Sequence, residues 1–203
     1  MNLVLKTAPT EEPASLATAL AHLRLEPATS AHPDASKVTR GVAAARRQAE
    51  ALTGRALVTQ TWYLRARSFA HLVDACGVLH LPKPPLVSVS AITYVDVDGV
   101  TQTIDAADYH VSANPDDGTV ECSIGVSWPT SRGLADDVVV EFVCGYGAAS
   151  AVPDDIVDAL LLWVGAGYEN REDFVVGTIT SPLPKTAADL LFPYRIPRAL
   201  VAA

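Results

Sequence analysis

A cysteine stands where a run of β-branched residues meets glycines and then a helix, in FVCGYGAASAVPDDIVDALL from Phe142 to Leu161. A thiol on a strand-to-helix elbow is the arrangement of a nucleophile, which needs a base beside it and an acid to orient the base. Cys144 with one of the five histidines would then make a small hydrolase-like enzyme. The elbow motif carries a glycine on each side of its nucleophile, whereas Phe142 and Val143 precede Cys144 here. His22, His32, His71, His80 and His110 fall mostly in segments that read as loop or strand edge, none with a telling neighbourhood. The competing reading makes Cys144 a small buried hydrophobe near a strand end. Gly145 and Gly147 then turn the backbone towards the helix that begins at Pro153.

Other chemistry-bearing clusters are weaker. Asp96 to Gly99, DVDG, opens like a calcium loop but lacks the later ligands and the closing Glu, so a D-G hairpin turn explains it better. Asn114 to Gly118, NPDDG, reads as a turn. Glu169, Glu172 and Asp173 could pair for acid or metal chemistry, but acids at a helix end are more often a solvated face. Arg40, Arg46, Arg47 and Arg55 cluster on a helical stretch, as a DNA-facing patch or as an exposed face meeting acids of a neighbouring subunit. No P-loop, G-x-G-x-x-G or H-E-x-x-H occurs. Cys76, Cys122 and Cys144 are odd in number and have no C-x-x-C, which argues against a disulfide framework or a zinc site. No cofactor is expected.

These residues must be positioned by a chain of 203 residues that is 49% hydrophobic, enough for a core. It carries 15 basic and 23 acidic residues, a net charge of −8. That field repels phosphates and anionic membranes, so tight direct DNA binding is not expected. MNLVLKTAPTEEPASLA has no long apolar stretch and is not read as a secretory signal. The longest apolar run, Ala159 to Tyr168, is about half of the ~20 residues a membrane span needs. A soluble protein made in a cytoplasm is the expectation.

Helical spacing places Leu16, Leu20 and Leu23 on one face after the N-cap Ser15, and Val38, Val42, Ala45, Ala49 and Leu52 on another before Gly54, a left-handed C-cap. From Ala56 the texture is β. ALVTQTWYLRAR alternates, LHLPKPPL reads as an extended connection, and four further runs end at DDVVVEFVCGY, so a small antiparallel sheet of about five or six strands is predicted over residues 56–146. Pro153, with Asp154 and Asp155 in the first turn, opens a largely buried helix, and Trp163 and Tyr168 should belong to its core. A loop with SPLP precedes a short helix from about Lys185 to Leu191, and prolines keep the tail out of regular helix. The fold class is α+β, a helical body of two N-terminal helices, one long buried helix and a short C-terminal one, with an inserted antiparallel β region.

The order of these motifs is more specific than any one of them. The LATALAHLRL helix, the helix ending EALTGRALVTQTW, the LPKPPLVSVSAITYVDVDG region, ADYHV, SWPTSRG, VVVEFVCGYG, VPDDIVDALLLWVGAGYENRE and LLFPYR together resemble the head-to-tail connector (adaptor) proteins of tailed phages and gene transfer agents, over roughly Ser15 to Arg195.

The resemblance implies one connector domain over 1–203 without enzymatic activity. It implies a ring, usually a dodecamer, beneath the portal in the neck of the virion, made in the cytoplasm of the bacterial host. The expected partners are the portal protein, a stopper or tail-completion protein and further copies of the chain, while DNA slides through the lumen without specific binding. No membrane partner is expected. Leu190, Leu191, Phe192, Tyr194 and Arg195, in a tail over 186–203, are expected to dock on the portal, the alternative being that they fold back on the chain's own core. Asp96, Asp98 and Gly99 are expected to meet a neighbouring subunit or the tail-side partner.

Overall fold

A computed structural model of the chain describes residues 1–169 and 185–196. They form two compact units, one from Met1–Thr10 and Thr59–Gly147 with Ile196, the other from Glu11–Val58 and Ala148–Arg195.

The first unit is all β, with eight strands in two antiparallel sheets where the sequence predicted about five or six in one. The strands are β1 (Asn2–Thr7), β2 (Gln60–Ala66), β3 (Leu79–Leu81), β4 (Leu86–Val95), β5 (Thr101–Thr103), β6 (Tyr109–Ala113), β7 (Gly118–Cys122) and β8 (Val138–Cys144). One sheet has the order β1-β2-β8-β4-β5 and the other β3-β7-β6. Two strands account for the difference. β1 pairs with β2, but as an edge strand it buries no residue fully, so it lacks a clear two-residue period. LHL, read as extended connection, is strand β3, paired with β7 through the buried Leu79 and Leu81.

β8 alternates as a half-buried central strand should: Val138, Val140, Phe142 and Cys144 are buried and the residues between them are partly exposed. Leu64 of β2 and Ile92 of β4 flank Val140 in register, so these branched side chains form the middle of the core. Leu79, Leu81 and Val120 supply the buried face of the second sheet. At Gly118 the sheets approach so closely that a Cβ would lie 2.5 Å from Cβ of Leu86.

The second unit holds four helices, α1 (Leu16–His22), α2 (Ala35–Thr53), α3 (Asp154–Glu169) and α4 (Lys185–Leu191), then a 3-10 turn at Phe192–Tyr194. The hydroxyl of Ser15 accepts from the Thr18 amide at 3.0 Å, which caps α1 as predicted. Gly54 ends α2 at φ 79°, a conformation that favours glycine. Leu20, Val38, Val42, Ala49, Ile156 and Leu160 form the core between α1, α2 and α3. Trp163 is buried, as expected, while Tyr168 is half-buried and its hydroxyl donates to Asp34 at 2.6 Å.

Candidate functional site

Cys144 is fully buried at the end of β8, between Gln60 of β2 and Leu86 of β4, with its Sγ 3.8 Å from the Gln60 carbonyl. The thiol has no surface to offer a substrate, so it packs as the small buried hydrophobe of the competing reading. Gly145 and Gly147 at φ 121° and 117° make the turn out of the strand, as the sequence indicated.

Sequence reasoning missed the place of His80. Its Nδ1 lies 3.1 Å from Asp117 and its Nε2 3.4 Å from Asp74. Burial pulls its pKa down, but hydrogen bonds and charge from Asp117 and Asp74 outweigh this and raise it above 6.5. The Asp74 carboxyl is held below its usual value, first by the Val78 amide. This clamp joins the turn before β3 to the β6–β7 turn; a separation of 37 positions between His80 and Asp117 left no local signal.

Arg40, Arg46 and Arg47 of α2 and Arg55 just beyond its end separate into two pairs. Arg46 is buried and donates from Nε to Glu12 at 2.7 Å and from Nη1 to Glu50 at 2.9 Å. Glu50, also buried, accepts the Leu57 amide at 3.1 Å. Arg55 is buried too, and its Nε donates to the Tyr194 carbonyl at 2.6 Å. The expectation of one exposed basic face therefore fails for Arg46 and Arg55, whose stems and charges are taken up inside the unit, and leaves Arg40 and Arg47 exposed. Arg40 and Lys37 stand over a groove of about 360 Å³ between α2 and α3.

The C-terminal residues also divide. Leu191 is fully buried on the same helical face as Ala187, Leu190 and Tyr194 are half-buried, and Phe192 and Arg195 are exposed, Phe192 at 69%. The Tyr194 hydroxyl lies 3.3 Å from Asp155. Leu191 thus folds back on the chain's own core and Phe192 does not.

The Asp96–Gly99 segment is the predicted hairpin turn between β4 and β5, with Gly99 at φ 83°. Asp96 accepts the amides of Asp98 and Val100 at 3.0 and 2.9 Å and the Gln102 side-chain amide at 2.9 Å. That amide first, and the backbone donors with it, hold the Asp96 carboxyl below its usual value. Asp98 and Gly99 are exposed at the tip. NPDDG is the expected turn, with Asn114 accepting the Asp116 amide at 3.1 Å. Glu169 is exposed at the end of α3; Glu172 and Asp173 lie outside the described residues. No group of metal-ligating side chains occurs among the described residues, and no described helix is long and apolar enough to cross a membrane.

No family model and no curated protein matches the chain. Among solved structures it is similar to a chain in the neck of an empty gene transfer agent particle computed with C6 symmetry, with a TM-score of 0.79 and 25% identity over 98% of this chain and 97% of the other. It is also similar to a chain in the virion of a native gene transfer agent particle (TM-score 0.79, 24% identity) and to one in the neck of a native particle computed with C12 symmetry (TM-score 0.70, 24% identity), each over 98% of this chain and 97% of the other. The likeness runs end to end, so the chain has the fold of a gene transfer agent neck component, both units included.

Proposed function

We propose that the chain is a structural component of the neck of a phage-like particle, a ring-forming adaptor that joins the DNA-filled head to the tail and performs no catalysis. The observation that carries this is the end-to-end match to a neck chain at a TM-score of 0.79 and 25% identity. The burial of Cys144 supports it by removing the nucleophile on which the enzyme reading stood.

The sixfold symmetry of that neck accommodates a ring of twelve copies, the number assigned here. The net charge of −8 suits a lumen through which DNA slides, because tight DNA binding is built from cationic contacts to phosphate. The portal protein lies on one side of the ring and a stopper or tail-completion protein on the other. Phe192 and Arg195 are the groups offered to the portal, since Leu191 is committed to the helical core. An exposed aromatic beside an arginine is the composition of an interface anchor.

The test is to mix the purified chain with the portal protein of the same genome and measure mass by size-exclusion chromatography with light scattering. A ring-sized complex is expected. Particles made without this chain that still carry joined tails would overturn the assignment.

A further inference from the structure

A closed ring made from one kind of subunit needs two different surfaces on each copy, each complementary to the other on the next copy. The helical unit offers one of the pair. In the groove between α2 and α3 the walls are Ala44, Trp163 and Val164, and Gly41 and Gly167 keep it open. A Cβ at Gly41 would meet only Val164, at 3.8 Å, and one at Gly167 would meet nothing within 4 Å. Lys37 and Arg40 line it, and no acidic side chain does among the described residues.

The β unit offers the opposite chemistry. At one end of the five-stranded sheet, the β4–β5 turn and the Arg132–Asp137 loop are tied together by the Arg132 amide on the Val95 carbonyl and the Val95 amide on the Asp137 carbonyl, both at 2.9 Å. Val97, Val100 and Leu134 are exposed there at 68%, 54% and 55%. Asp96, Asp98, Asp136 and Asp137 stand at this end against Arg132 and Arg65. Asp96 and Asp137 are occupied with their own turns, Asp137 through Arg132 at 2.8 Å and the Leu134 amide at 2.6 Å, and Asp136 lies 3.6 Å from Arg65. Asp98, exposed between Val97 and Val100, is therefore the acid that faces outward at the apolar tip. Large exposed apolar residues gathered at one place and rimmed by charge mark an interaction surface.

Building on the ring-forming role assigned above, we propose that this acidic, apolar-tipped end of one copy docks into the α2/α3 groove of the next copy around the ring. Val97 and Val100 enter between Ala44 and Trp163, and Asp98 faces Lys37 and Arg40. Pairing groove to groove would set Arg40 against its own counterpart, and pairing tip to tip would set Asp98 against its own. Like charges across a contact are unfavourable, so the head-to-tail mode that closes a ring is the one selected.

The test uses the full chain assembled in particles. With Cys76, which is exposed, replaced by serine, the double variant Val97→Cys/Ala44→Cys should give a ladder of disulfide-linked multimers on a non-reducing gel, and neither single variant should. Arg40→Asp should lower the number of copies per particle, and adding Asp98→Lys to the same chain should restore it. Wild-type copy numbers of the cysteine pair without cross-linking, or full incorporation of Arg40→Asp, would overturn the docking while leaving the neck role intact. Absence of the wild-type chain from purified particles would overturn both.

Discussion

Leu191 and Phe192 are neighbours in sequence with opposite surroundings, which makes them a sharp test of where the core ends and the docking surface begins. Leu191→Ala removes three carbons from a side chain with 0% exposure. At about 0.8 kcal/mol for each carbon the transfer loss is about 2.4 kcal/mol, and the cavity left behind brings the total to about 3–4 kcal/mol, inside the usual range for such a change. For a chain of this size that is a fall in Tm of roughly 6–15 °C. Phe192→Ala removes a larger side chain, but one that is 69% exposed, and surface changes of that kind usually stay within about 0.5 kcal/mol. The assay is thermal unfolding followed by far-UV circular dichroism, run beside portal binding by size-exclusion chromatography with light scattering. Leu191→Ala should lose stability, and Phe192→Ala should keep its Tm and lose portal binding. A Phe192→Ala chain that binds the portal like wild type would refute the docking assignment, and a Leu191→Ala chain with unchanged Tm would refute the placement of α4.

Three further outcomes follow from the packing. Arg46→Ala removes the guanidinium that Glu12 and the buried Glu50 share and should cost about 3–5 kcal/mol in urea unfolding, whereas Arg46→Met with Glu50→Gln should recover part of that loss. Gly118→Ala drives a Cβ to 2.5 Å from Cβ of Leu86 and should destabilise by about 1–3 kcal/mol in the same measurement, because neither Cβ can rotate away. The raised pKa of His80 means that protonation favours the folded state, so its contribution is whole below pH 6.5 and is lost as pH rises through the higher folded value. The Tm of wild type should therefore fall relative to that of His80→Gln as pH increases above 6.5, and parallel profiles for the two proteins would remove the clamp.

The helices were legible because their period and their caps agree: Ser15 and Gly54 mark ends that the apolar spacing also marks. The central strand β8 was legible for the same reason, with its alternation and its bounding turns in accord. β1 was not, because an edge strand that buries no residue fully writes no face into its sequence, and its identity rests on β2 across the sheet. The second sheet was missed because β3 is three residues long and runs into prolines.

The site residues show a different kind of limit. Arg46 and Glu50 are four apart on a helix, and that spacing is the same whether the pair lies in solvent or in a core; partners brought in from outside the helix, Glu12 and the Leu57 amide among them, decide for the core. At the C-terminal end the deciding information was local after all. Ala187 and Leu191 are one helical turn apart and both fully buried, so the phase of α4 commits Leu191 to the core. The chain leaves α4 at the next residue and turns Phe192 outward. Four apolar groups that read as a single anchor therefore divide in sequence order, Leu191 into the core and Phe192 into solvent. Leu191 and the Arg55 bond to the Tyr194 carbonyl hold the segment in place, and a backbone ordered in advance would lower the entropy cost of the portal docking proposed for the exposed Phe192 ring.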